Sequence, residues 1–189
     1  KIVAKNHDLH SIIFSHFLLS FFYVWMIIYT PLYMNIQMGI PMNKILGIII
    51  PIALLPFIFF EVSLGRLADK KLGEKEILFV GFIIMAVSTA GLSFITTSSV
   101  IIWALILFAG RTGASMVEAM TESYFYKKVD VEDAHLITFM RTLRASAYII
   151  GPIVGTVLLS FIDFRYLFII LGFLMLTSLP FVFEIKDTK

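Results

Sequence analysis

The sequence predicts an all-α polytopic membrane protein, a bundle of six transmembrane helices that forms a single domain of 189 residues. Three observations predict this fold: 59% of the residues are hydrophobic, only 15% are charged, and the apolar residues fall into long runs. Soluble domains are about 45–50% apolar and about 25% charged. This chain, with a mean hydropathy of +0.95, therefore has too few polar side chains to cover a water-exposed surface.

Six apolar runs are long enough to cross a bilayer as a helix, which needs roughly 20 residues. They cover residues 10–34, 44–64, 76–95, 100–126, 134–162 and 166–183, with approximate boundaries. Polar or helix-breaking segments separate them. These are 35–43 with Gly39 and Pro41, the charged stretches 65–75 and 127–133, a hydroxyl cluster at 96–99, and a polar turn at 163–165.

The distribution of lysine and arginine predicts the orientation of the spans. Ten of the fifteen basic residues fall on one side of the predicted membrane, two on the other (Lys44 and Arg165), and three within spans. The positive-inside rule then places both termini in the cytoplasm, which requires an even number of spans. We expect a multi-pass protein of the plasma (inner) membrane.

Several classes of function have no support in the sequence. The chain has no cysteine, which excludes disulfides and thiolate metal sites. It has no basic cluster for nucleic acid, no glycine loop for a nucleotide phosphate, and no motif of a serine or zinc intramembrane protease. We therefore predict neither an enzyme nor a cofactor or metal. A homodimeric six-helix carrier or channel, or a membrane scaffold without transport activity, stays open as an alternative.

The stretch between the second and third spans reads GRLADKKLGEK, from Gly65 to Lys75. It resembles the signature loop of the major facilitator superfamily, in which a glycine, an aspartate and basic residues join the second and third helices of a six-helix half. The next glycine comes one residue later than usual, and Glu74 replaces an expected basic residue. The residues that the resemblance assigns to a cytoplasmic gate are Gly65, Arg66, Asp69, Lys70 and Gly73.

A second resemblance lies in the fifth span, where residues 147–155 read AYIIGPIVG. This stretch is similar to the superfamily's glycine-rich fifth-helix motif, although Thr156 follows where a second glycine is usual. Gly151 and Gly155, four residues apart, permit close helix packing, and Pro152 can bend the helix. Tight packing is the preferred interpretation, ahead of an antiport signature.

The resemblance covers nearly the whole chain as one six-helix half of a twelve-helix carrier. Lys1 in place of an initiator Met, and the short tail after Phe183, favour the C-terminal half. The resemblance implies a secondary active, alternating-access transporter of a small molecule. Its expected partners are the lipid bilayer, the other six-helix half, the substrate and, as a coupling ion, protons.

The fourth span carries a polar stripe within the predicted membrane. Its members, at spacings of four, three and four on one helical face, are Arg111, Ser115, Glu118 and Glu122. Intramembrane charges are candidates for function. In the superfamily the first and fourth helices line the cavity, which makes Arg111, Ser115 and Glu118 candidates for substrate or proton coupling. An internal ion pair that only holds helices together is the alternative.

A second charged group is predicted at the cytoplasmic side. Its members are Glu61, Asp69, Glu122, Arg141 and Arg144. A gate latch and static anchoring are equally compatible with this network, and Arg141 could also reach lipid headgroups. His16, in the first span, is either a proton shuttle or a hydrogen-bond partner of a neighbouring helix.

The first span also presents an aromatic stripe. Phe22, Trp25, Tyr29 and Tyr33 follow at spacings of three, four and four. Trp25 and Tyr29 are candidates for contact with an organic substrate. Tyr33 is assigned to the aromatic belt at the outer interface.

Overall fold

The computed structural model describes residues 7–70, 73–129 and 134–185. Side chains are not described at positions 7, 61–67, 69, 70 and 134. Within this part, six helices are long and apolar enough to cross a membrane, so the predicted all-α fold is confirmed. The helices are α1 (His7–Ile36), α2 (Met42–Lys44, the π-helical turn Ile45–Ile49, and Ile50–Lys70), α3 (Glu74–Gly91, continued by a 3₁₀ turn, Leu92–Phe94), α4 (Val100–Lys128), α5 (Ala134–Leu159) and α6 (Tyr166–Leu176 and Leu179–Glu184).

The breakers in the sequence end the helices for identifiable reasons. Gly39 adopts a φ of 65°, which other residues rarely reach, and Pro41 precedes the first turn of α2 in an extended conformation. Gly73 precedes α3, and its N–H donates to the Glu76 carboxylate (3.0 Å), so a side chain of the first turn stabilises the helix start.

Prolines explain the irregular turns within the helices. Pro51 has no N–H for the carbonyl of residue 47, and the π-helical turn of α2 ends two residues before it. In α6, Pro180 cannot donate to the carbonyl of Leu176, and the helix breaks there. The sixth predicted span is therefore two short helices joined at Thr177 and Ser178.

The observed helices differ from the predicted apolar runs mainly at the ends that the sequence places in the cytoplasm. Helix α2 continues to Lys70, through part of the stretch 65–75 expected to be a loop. A helix satisfies its own backbone hydrogen bonds, so it can extend past the bilayer without apolar side chains. Apolar run length therefore does not predict where this helix ends.

The six helices pack with α4 at the centre. It contacts α1, α2 and α3, while α1 also packs on α5 and α6, and α3 packs on α6. In the most apolar stretch of each helix, 72% of α1 is buried within the bundle, whereas only 22% of α2 and 17% of α5 are buried. Because α2 and α5 expose most of their apolar surface, they form the outer faces of the bundle.

Glycines set the closest helix contacts. A Cβ on Gly113 of α4 would lie 2.6 Å from the carbonyl oxygen of Gly81 in α3, and one on Gly172 of α6 would lie 2.7 Å from that of Ala86. These distances leave no room for a side chain, so the backbone of α3 packs directly against those of α4 and α6.

Candidate functional site

The polar stripe of α4 meets α1 and α5 in the middle of the bundle. Arg111 lies eleven residues into α4, roughly 16 Å along its axis, and is therefore deep within the predicted membrane. Glu118 lies two turns further along. Ser115, between them, is buried, and its hydroxyl donates to the Thr112 carbonyl of its own helix (2.9 Å). The stripe thus presents two charged groups, and the serine between them forms its hydrogen bond within its own helix.

Glu118 links three helices. Its Oε2 accepts a hydrogen bond from the Tyr23 hydroxyl of α1 (2.8 Å), and its Oε1 pairs with Nη2 of Arg144 in α5 (3.1 Å). The carboxylate side chain is 21% exposed and the arginine side chain 43%. The contact between α4 and α5 at this point therefore depends on the charge of the Glu118 carboxylate.

Arg111 has a different environment. Its guanidinium carbon lies 5.7 Å from the ring centre of Phe22 and 5.4 Å from that of Tyr23, both distances typical of cation–π contacts. Tyr148 of α5 is close enough to interact with it electrostatically. Among the described residues, no carboxylate forms an ion pair with Arg111. The cation is therefore held by aromatic faces and keeps its hydrogen-bond donors for another partner.

Trp25 and Tyr29 lie in the contact between α1 and α5. The Trp25 indole N–H donates to the Gly151 carbonyl (2.9 Å), and the Tyr29 hydroxyl donates to the Pro152 carbonyl (2.8 Å). A Cβ on Gly155 would lie 2.5 Å from the Tyr29 ring. The glycines thus accommodate the two aromatic side chains, and both polar groups are engaged within the bundle.

Tyr33 is buried rather than exposed at an interface. Its ring packs against Phe164 and Phe168 at centroid distances of 5.2 and 5.1 Å, and against Trp103 at 5.9 Å. The assignment to an aromatic belt is therefore replaced by a core position at the outer end of the bundle. Next to it, Asp163 and Arg165 border an open cavity of about 350 Å³.

The predicted cytoplasmic network is only partly assembled among the described residues. Glu122, Arg141 and Arg144 line one cavity of about 290 Å³ together with His16. Arg144 pairs with Glu118, which lies one turn before Glu122 in α4. The side chains of Glu61 and Asp69 lie outside the described residues.

The gate motif is described in part. The side chains of Arg66, Asp69 and Lys70, and the surroundings of Gly65, lie outside the described residues, whereas Gly73 begins α3 as stated above. Glu74, the residue that departs from the superfamily pattern, is 2% exposed and pairs with Lys127 of α4 at 2.7 Å. The departure thus forms an ion pair between the start of α3 and the end of α4, in which the carboxylate is buried and the Lys127 side chain is 39% exposed.

Sequence reasoning missed two residues of this site, Tyr23 and Tyr148. Neither lies on the α1 aromatic stripe or among the charged residues, although Tyr148 is part of the motif-like stretch in the fifth span. The sequence could have indicated both residues, because the hydroxyl of a tyrosine within a predicted span needs a hydrogen-bond partner.

The chain is similar in structure to PepTSo, a transporter of the POT family solved by in meso crystallography, with a TM-score of 0.72 and 19% sequence identity. The likeness covers 93% of this chain and 36% of that chain. No protein-family model matches the chain, and no curated protein matches it. The six-helix arrangement is thus similar to about a third of the PepTSo fold.

Proposed function

We propose that this chain is a six-helix half of a secondary active transporter of the major facilitator superfamily that moves a small solute by alternating access. The Gly65–Lys75 signature and the likeness to part of a POT transporter support it. The observation that carries the proposal is Glu118, an intramembrane carboxylate shared by Tyr23 of α1 and Arg144 of α5.

In this proposal α1 and α4 line the pathway, with Arg111 and Glu118 facing it and Ser115 between them. Arg111 contacts the substrate, because its guanidinium forms no close ion pair among the described residues and interacts with the Glu118 carboxylate only at longer range. Glu118 exchanges a proton, and its neutral form releases Arg144. The signature segment with Asp69 closes the cytoplasmic side of the pathway. The protein lies in the plasma (inner) membrane, with both termini in the cytoplasm.

The partner of this chain is a second six-helix unit. Consecutive α5 residues Tyr148, Ile149 and Ile150 are 44–67% exposed. At 100° per residue they cover roughly 200° of the helix surface. One lipid-facing side does not account for so wide an exposed surface, whereas lipid on one side and a second unit on the other do.

Replacement of Glu118 by Gln tests the coupling role. The protein from the complete reading frame is reconstituted in vesicles, and uptake of a solute identified by screening is measured with and without a pH gradient. We expect Glu118→Gln to abolish the pH dependence and to preserve folding, because glutamine still accepts the Tyr23 hydrogen bond. Glu122→Gln, one turn away in the same helix, is the matched control and should keep the pH dependence. Unchanged pH dependence in Glu118→Gln would remove Glu118 from the coupling role.

A further inference from the structure

The cavity between α1, α4 and α5, at the end of the bundle predicted to be cytoplasmic, has features of a ligand site. Its volume is about 290 Å³, enough for several water molecules or one small polyatomic ion. The described polar side chains that line it are His16, Glu122, Tyr126, Arg141 and Arg144. Three helices thus contribute to one polar chamber directly below the Glu118–Arg144 pair.

The first observation that indicates a ligand in this cavity concerns the Nδ1 atom of His16. The residue is 5% exposed, and its Nδ1 has no hydrogen-bond partner in the described part of the chain. Buried polar atoms are almost always paired, since an unpaired one loses its hydration without compensation. In the tautomer that carries the proton on Nδ1, this nitrogen donates, so an acceptor in the cavity would satisfy it.

The two arginines supply the charge. Arg144 uses one nitrogen for Glu118, and the other donors of its guanidinium have no partner in the described residues. Arg141 forms no ion pair within the same part of the chain. Guanidinium groups bind carboxylate and phosphate oxygens through two parallel hydrogen bonds. Glu122, the carboxylate that lines the cavity, already interacts with another group, so it is not without a partner of its own.

We propose that this cavity binds an oxyanion, a phosphate or carboxylate group, through Arg141, Arg144 and His16. The ligand and Glu118 then share Arg144, so an anion entering from the predicted cytoplasmic side weakens the hold of Arg144 on Glu118. The site does not depend on the proposed transport, because it is defined by binding alone. Failure of one proposal therefore leaves the other standing.

Calorimetric titration with sodium phosphate tests the site. The protein from the complete reading frame is placed in phosphatidylcholine nanodiscs at constant ionic strength. We expect saturable binding that Arg141→Gln weakens about tenfold, the effect of one charge-assisted hydrogen-bonded contact. Arg141→Lys should weaken it less, and His16→Phe should weaken it while keeping the packing. Arg165→Gln, at the opposite end of the bundle, should leave it unchanged.

The phosphate affinity of the Glu118→Gln variant distinguishes a built site from non-specific attraction by surface charge. Removal of the competing carboxylate should tighten phosphate binding several-fold, because Arg144 becomes available to the ligand. Repeating the titration in nanodiscs that contain phosphatidylglycerol separates two sources of the anion. Competition by this lipid identifies a headgroup, and no competition identifies a soluble anion. Absence of saturable binding, or equal affinity in wild type and Arg141→Gln, would overturn the proposal.

Discussion

Two faces of α4 are built in different ways. The face toward α3 is closed by glycine, with the backbone of Gly113 against that of Gly81 and no charged side chain between the two helices at this point. The opposite face carries Arg111 and Glu118, which meet α1 and α5 through aromatic rings, a hydroxyl and an ion pair. Contacts of the first kind tolerate no change of shape. Contacts of the second kind can exchange partners, as a transport pathway requires.

The largest expected effect is on the glycine face. Gly113→Ala places a Cβ 2.6 Å from the Gly81 carbonyl oxygen and 2.8 Å from the Met85 nitrogen, both backbone atoms that cannot move alone. We expect a loss of about 2–3 kcal/mol in the free energy of unfolding, as for an overpacked core. Unfolding of the purified protein in detergent measures it.

Gly47→Ala is the matched control, a helical glycine with nothing within 4 Å of the added Cβ. It should leave stability unchanged or raise it slightly, since alanine restricts the unfolded chain. Equal stability of the Gly113→Ala and Gly47→Ala variants would show that the two backbones are not in contact.

A smaller effect is expected where α1 meets α5. Tyr29→Phe removes the hydroxyl that donates to Pro152 and should lower stability by about 1 kcal/mol. Tyr126→Phe, which alters a tyrosine that is 61% exposed, is the control and should be neutral. Loss of substrate affinity without loss of stability in Tyr29→Phe would instead place this hydroxyl in the pathway.

The comparison of the two faces also shows what the sequence could predict. Run length and composition predict six spans because the bilayer imposes the length of each span independently of the neighbouring helices. The spacing of Arg111, Ser115 and Glu118 predicts a shared face because helix geometry is fixed. These predictions need only local information.

The partners on that face could not be predicted in the same way. Whether Arg144 pairs with Glu118 or Glu122 depends on the position of α5 along α4. Helix α5 is held mainly by its contacts with α1, among them those at Gly151 and Gly155. The pairing of Glu74 with Lys127 likewise depends on where α3 begins relative to the end of α4. Residue type and spacing within one helix carry no information on either.

The central claim, that the Arg111–Glu118 side of α4 borders a water-filled pathway while the outer surface of α3, turned away from α4, faces lipid, is tested most directly by thiol labelling. The chain has no cysteine, so single substitutions are unique targets within it. Tyr148 of α5 and Val87 of α3 are 45% and 67% exposed, and each lies roughly 20 Å from the start of its helix. Because a thiol must ionise in water to react, a membrane-impermeant maleimide should label Tyr148→Cys at least about tenfold faster than Val87→Cys. Equal rates, or faster labelling of Val87→Cys, would contradict the account.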